Sequence, residues 1–179
     1  MLGLGRAELA RGARWALVLV TLVAVGCLVG ALLPVTRGVF LDRRGEQVGV
    51  GSAACQVLVR IPVGTVVLEE VAFRGVLYGL LRPDGIACAT AVSSWLFGLW
   101  HVLPARELPK LNPAVGRMFD MRLPLVVAAA VIATALAGVV LCELRRRSGS
   151  LLAPIGVHWA INALGFVTAL VVTRWRGGM

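Results

Sequence analysis

The sequence predicts an all-α, polytopic transmembrane helical bundle of five to six spans. Three observations carry this. The chain of 179 residues is 59% hydrophobic, with mean hydropathy +0.88, against roughly 45–50% apolar in ordinary globular domains. The excess is concentrated in runs of about 18–20 residues, the length a helix needs to cross a bilayer. The basic residues stand mainly between these runs, where they anchor span ends at the membrane surface. The length suits one helical bundle.

The charge pattern narrows the partners. The chain has 18 Lys and Arg against 9 Asp and Glu, a net charge of +9. Distributed at span ends, this excess meets anionic lipid. A nucleic-acid partner would call for a basic face or stripe, so the bilayer is the predicted partner and nucleic acid is not. Cys27, Cys55, Cys88 and Cys142 all lie in apolar segments with no C-x-x-C pair. They read as small apolar packing residues rather than a disulfide framework or a cysteine zinc site.

The first span is Trp15–Leu33, with Trp15 as an interfacial aromatic and Pro34 closing it. Its apolar run exceeds the 7–15 residues or so of a signal-peptide core, so it reads as a retained span. Gly26 and Gly30 form a G-x-x-x-G pair that allows close helix approach. Residues 35–47 form a polar loop bearing Arg37, Asp42, Arg43, Arg44 and Glu46. The region Val48–Leu81 is too long for one simple span, and Pro62 is expected to divide it. Proline suits the first turn of a helix, which places the start of a glutamate-bearing helix near Ile61 or Pro62. The piece 48–60 is then a short or tilted span, and a sixth if it crosses by itself. Arg82-Pro83-Asp84-Gly85 is a stop and turn.

The next span is Ile86–Leu103, ending at Pro104. A polar connection over 104–122 carries a short interfacial segment. Leu123–Cys142 is an uncharged span rich in Ala and Gly, ended by Glu143 and Arg145–Arg147. The last span covers about Leu151–Thr173, with Trp175 at the interface. The protein is expected to be a multi-pass protein of the cell membrane.

The chemistry concentrates in three places. Glu69 and Glu70 stand side by side in an apolar stretch, with Arg74 four residues on. A charge at the centre of a membrane helix costs roughly 2.5–3.5 kcal/mol on insertion scales, so such residues face protein or water and find partners. Glu70 and Arg74 share a helical face and neutralise one another. Glu69, rotated by about 100°, is left without a local partner, as a water-activating base requires. Phe97 and His101 are again four apart, as are His158 and Asn162. These are the two histidines of the chain, on different predicted spans.

Together the groups supply what amide hydrolysis inside a membrane demands. Glu69 with His101 can activate water, and His158 with Asn162 can stabilise the oxyanion. Glu69, His101 and His158 are also a zinc ligand set in kind, so a divalent metal such as Zn is a candidate cofactor, although H-E-x-x-H is absent. The serines lack a G-x-S-x-G setting.

The motifs E-E-x-x-x-R (Glu69-Glu70…Arg74), F-x-x-x-H (Phe97…His101) and H-x-x-x-N (His158…Asn162), in this order on separate membrane helices, resemble the CPBP family. That family comprises type II CAAX prenyl endopeptidases and bacteriocin-processing or immunity (Abi) proteins. The surroundings Phe73-Arg74-Gly75 and Ser150–His158 are similar to it as well, so the resemblance covers about residues 62–166. It implies an N-terminal span and polar loop over 1–47 and an intramembrane protease core over 48–179, with the active-site cavity inside the bundle. It implies an endopeptidase, glutamate-type or metal-dependent, acting on a membrane-associated or lipid-modified peptide or protein. Glu69, His101, His158 and Asn162 would be catalytic, and Glu70, Arg74 and Phe97 supporting. Two other readings remain. One is a non-catalytic membrane immunity or assembly factor that retains the polar network. The other is a proton-coupled carrier, which the missing inverted repeat disfavours.

Overall fold

The computed structural model describes residues 3, 5–42 and 48–177. Five long helices dominate: α1 (Arg6–Leu32), α2 (Val50–Asp84), α3 (Ile86–Trp100), α4 (Leu123–Ser148) and α5 (Leu152–Gly177). Among the described residues there is no strand. Helices α1, α2, α4 and α5 are each long and apolar enough to cross a membrane. Helix α3 adds a fifth span together with Val102–Leu111, from which it is bent by 43°. The bend falls at His101, whose φ of -88° and ψ of 3° leave the helical region. The expected span Ile86–Leu103 thus breaks three residues early. Between α3 and α4 the chain forms short helices over Val102–Ala105, Leu108–Leu111 and Pro113–Met118. The expected loop after α1 holds two further turns, Pro34–Arg37 and Gly38–Phe40, while Arg43, Arg44 and Glu46 lie outside the described residues.

Pro62 does not divide α2. The helix runs through it, so the six-span alternative and a start near Ile61 or Pro62 are both corrected. The reason is the pitch. Residues Gln56–Arg60, Pro62–Val67 and Val71–Leu77 adopt wide π-type turns. In such a turn an amide bonds to the carbonyl five residues back. Pro62 has no N–H, so the carbonyl it strands is that of Val57. The Trp159 indole of α5 donates to the Val57 carbonyl at 3.1 Å. A tertiary hydrogen bond therefore replaces the one proline cannot make.

Helix α1 packs along α5, and α3 along α4. Glycine makes the approaches close. A Cβ on Gly156 would stand 2.6 Å from Ala16 Cβ, and one on Gly98 would stand 2.7 Å from the Val131 carbonyl oxygen. Gly26, by contrast, meets nothing within 4 Å, and Gly30 meets the Phe40 ring. The expected G-x-x-x-G contact is thus made instead at Gly12, against Ser150, and at Ala16, against Gly156.

The radial distribution of side chains is that of a membrane protein. Leu17, Leu22, Leu58, Leu80, Leu136 and Val171 face outward, while Glu69, Glu70, Arg74, Ser93, Ser94 and His158 are buried. Hydrocarbon imposes no penalty on an exposed leucine but a heavy one on an unpaired charge. Cys142 packs inside as expected, but Cys55 and Cys88 are exposed on the outer surface. Apolar clusters bracket the polar centre: Phe97, Leu141, Leu144 and Val157 on one side, Ile61, Val66 and Ala163 on another.

Candidate active site

Glu69 and Glu70 sit in the middle of α2 and are 5% and 0% exposed. Adjacent helical residues point about 100° apart, so both can be buried only where α2 is flanked on two sides. Helix α3 provides one flank and α5 the other. From α5, His158 Nδ1 donates to Glu70 Oε1 at 2.8 Å, and Arg74 Nη1 donates to the same oxygen at 3.0 Å. The Glu70 and Arg74 side chains have no exposed surface. The Arg74 guanidinium also lies 3.9 Å above the Phe97 ring, a cation–π contact in a dry setting. The carboxylate–arginine pair read from the i, i+4 spacing is therefore present, and it captures His158 as a third member.

Glu69 is held differently. The Trp100 indole of α3 donates to its Oε1 at 2.9 Å. Its Oε2 makes no hydrogen bond among the described residues. That oxygen stands 3.8 Å from His158 Nε2, too far for a direct hydrogen bond. With Nδ1 committed to Glu70, Nε2 is the ring nitrogen that His158 turns toward Glu69. The nearest imidazole to Glu69 is thus His158, and no hydrogen bond or ion pair joins Glu69 to His101 among the described residues.

His101, at the break after α3, donates from Nδ1 to the Phe97 carbonyl at 2.8 Å. This assignment follows because a carbonyl can only accept. Nε2 then carries a lone pair. The Phe97 ring touches both imidazoles, with centroids 4.6 Å from His101 and 5.8 Å from His158. His101, His158 and Asn162 line one cavity of about 410 Å³, walled by Phe97, Thr134 and Leu141. Asn162 borders a second cavity as well, of about 420 Å³, which Ser52, Gln56 and Arg60 make polar. Glu69 lines neither and stands behind His158.

The structure thus gathers all seven residues singled out in the sequence, but in two layers. His101, His158, Asn162 and Phe97 face the cavity, and Glu69, Glu70 and Arg74 form a buried network joined to it through His158. Trp100 was missed by sequence reasoning. Its position before His101 suggests an interfacial aromatic, and only the packing of α3 on α2 makes it a hydrogen-bond donor to Glu69. Among the described residues no three His, Cys, Asp or Glu side chains form a metal-binding group. Each histidine donates through Nδ1 and leaves Nε2 open, as metal-bound histidines do, so a divalent ion such as zinc would be held by His101 Nε2, His158 Nε2 and Glu69 Oε2, atoms that stand further apart here than a closed ligand set.

Two comparisons, with curated proteins and with solved structures, return no match. A family profile described as type II CAAX prenyl endopeptidase Rce1-like matches residues 51–164. The match spans α2, α3, α4 and half of α5, and so contains every residue of the polar network and the cavity. This match over more than half of the chain, together with helices long and apolar enough to cross a membrane, shows that the chain belongs to the type II CAAX prenyl endopeptidase Rce1-like family, a family of membrane-embedded endopeptidases.

Proposed function

We infer that this protein of the cell membrane hydrolyses a peptide bond in a membrane-associated or lipid-modified peptide, with Glu69 as the base. The observation that carries this reading is the division of labour between the two glutamates. Glu70 is neutralised by Arg74 and orients His158 through Oε1; each glutamate leaves Oε2 without a hydrogen bond among the described residues, but it is Glu69, with no cation paired to it, whose free oxygen stands 3.8 Å from His158 Nε2. A water entering past His158 passes a proton to Glu69 Oε2 while its oxygen bonds to the scissile carbonyl carbon. His101 Nε2, with its lone pair toward the cavity, helps hold that water. The oxyanion is held by the Asn162 amide and by His158, which donates through Nε2 when it shares the proton taken by Glu69. Collapse breaks the C–N bond and returns the proton to the leaving amine. No step is routed through a metal.

A second reading has one observation in its favour: Glu69 stands behind His158 rather than on the cavity wall. In that reading the network only joins helices, as in an immunity or assembly factor. Glu69→Gln separates the two. In proteoliposomes with a fluorogenic prenylated peptide, with and without chelator, an enzyme should lose activity by at least about 10²-fold, as loss of a general base does, while its melting temperature holds. Retained cleavage would refute the enzymatic reading. Inhibition of the parent protein by chelator alone would replace the glutamate mechanism with a metal-dependent one.

A further inference from the structure

At the membrane face where α2 ends, α3 begins, α4 ends and α5 begins, a third cavity of about 400 Å³ opens. Its charged lining is mostly basic: Arg74, Arg82, Arg145 and Arg146 with the carboxylate of Glu8, although Arg146 is paired with Glu143 and Arg74 with Glu70 behind the lining. Tyr78 completes it. Two of these residues reach it from the core. Arg74 is 1% and Tyr78 3% exposed. Arg74 Nε and the Tyr78 hydroxyl are buried and make no hydrogen bond among the described residues. Buried donors without acceptors are costly, and here both belong to side chains lining a cavity rich in guanidinium groups. A surface cluster of arginines would have been solvated already.

We propose that this cavity binds a phosphate group, with the Tyr78 hydroxyl and Arg74 at its floor and Arg82 at its mouth. Planar guanidinium groups match phosphate oxygens. The level in the membrane, at the ends of four spans, is where anionic lipid headgroups lie. The source is therefore an anionic lipid headgroup or free phosphate. Arg74 has one face on Glu70 Oε1, so a bound phosphate would hold the same guanidinium from the opposite end and stiffen the network around His158. The proposal does not depend on peptide hydrolysis, and its test reads binding alone.

The test uses the purified full chain in a neutral maltoside, with thermal unfolding followed by tryptophan fluorescence. Dioctanoyl phosphatidylglycerol should raise the midpoint saturably, and dioctanoylglycerol, which has the same chains and no phosphate, should not. In Tyr78→Phe and Arg82→Gln the half-saturating concentration should rise about tenfold, the loss of one charge-assisted hydrogen bond. Arg82 is exposed, so Arg82→Gln should fold whether or not Tyr78→Phe does. Sodium phosphate that reproduces the shift, against sodium chloride of equal ionic strength, identifies free phosphate as the source; phosphatidylglycerol alone identifies the lipid. Equal shifts from both dioctanoyl lipids, no shift from either phosphate source, or unchanged half-saturation in both variants would overturn the proposal. So would a shift produced only by a peptide with a free C-terminal carboxylate and not by its amide.

Discussion

Replacing Arg74 with methionine removes the guanidinium that pairs with Glu70. Arg74 Nη1 lies 3.0 Å from Glu70 Oε1, and neither side chain has any exposed surface. Exposed ion pairs contribute about 0–1 kcal/mol. Removing one partner of a buried pair costs roughly 3–5 kcal/mol, because the remaining charge is stranded. The contact between Arg74 and the Phe97 ring at 3.9 Å is lost too. The double variant Arg74→Met/Glu70→Leu removes both charges, and such apolar replacements are often close to neutral. It still leaves His158 Nδ1–H without its acceptor, a cost of about 1–3 kcal/mol for an unsatisfied buried donor. The expected order is therefore parent, then double variant, then single variant. Reversible unfolding in mixed micelles of dodecyl sulfate and maltoside measures it through tryptophan fluorescence. A single variant within about 1 kcal/mol of the parent, the range of an exposed pair, would refute the desolvated pair. A double variant no better than the single one would refute the charge-stranding argument.

Three further outcomes are expected. Trp100→Phe keeps an aromatic surface but removes the donor to Glu69 Oε1; kcat should fall roughly 10–100-fold with KM and melting temperature little changed, since a hydrogen bond to a charged group contributes about 1.5–3 kcal/mol. Gly98→Ala puts a Cβ 2.7 Å from the Val131 carbonyl oxygen, so α3 and α4 must separate; overpacking costs about 1–3 kcal/mol, and an unchanged unfolding midpoint would show that the helices do not meet there. Trp159→Phe should destabilise by about 1–3 kcal/mol by stranding the Val57 carbonyl. In a Pro62→Ala background, where the backbone supplies its own N–H, the same change should cost less. Equal costs in both backgrounds would mean that the indole does not stand in for the missing amide.

The span count was legible because length and hydropathy fix how many helices a chain can send through a bilayer. The Glu70–Arg74 pair was legible because i, i+4 spacing is a local property. Pro62 misled because proline's rule is stated for a ladder of i→i−4 bonds; wide turns change which carbonyl is stranded, and a tryptophan about a hundred positions away makes the replacement bond. Gly26 and Gly30 misled because a small-residue pair shows that close approach is permitted, not which helix comes. That His158 stands 3.8 Å from Glu69, nearer than His101, was out of reach for a related reason. Spacing along one helix says nothing of which neighbouring helix presents an imidazole to which carboxylate. Trp100 needed the same tertiary information.

The wide turns of α2 bear on how the protein tolerates a change in chain length. A stretch with a surplus residue per turn can close to the ordinary α-helical ladder when one residue is lost. Deleting one residue from Gln56–Arg60 should therefore be absorbed within that stretch, with the carboxylates further along keeping their bearing toward α3 and α5. A deletion between Leu68 and Glu70, where the ladder is already tight, has no such slack and would swing both acids off their partners.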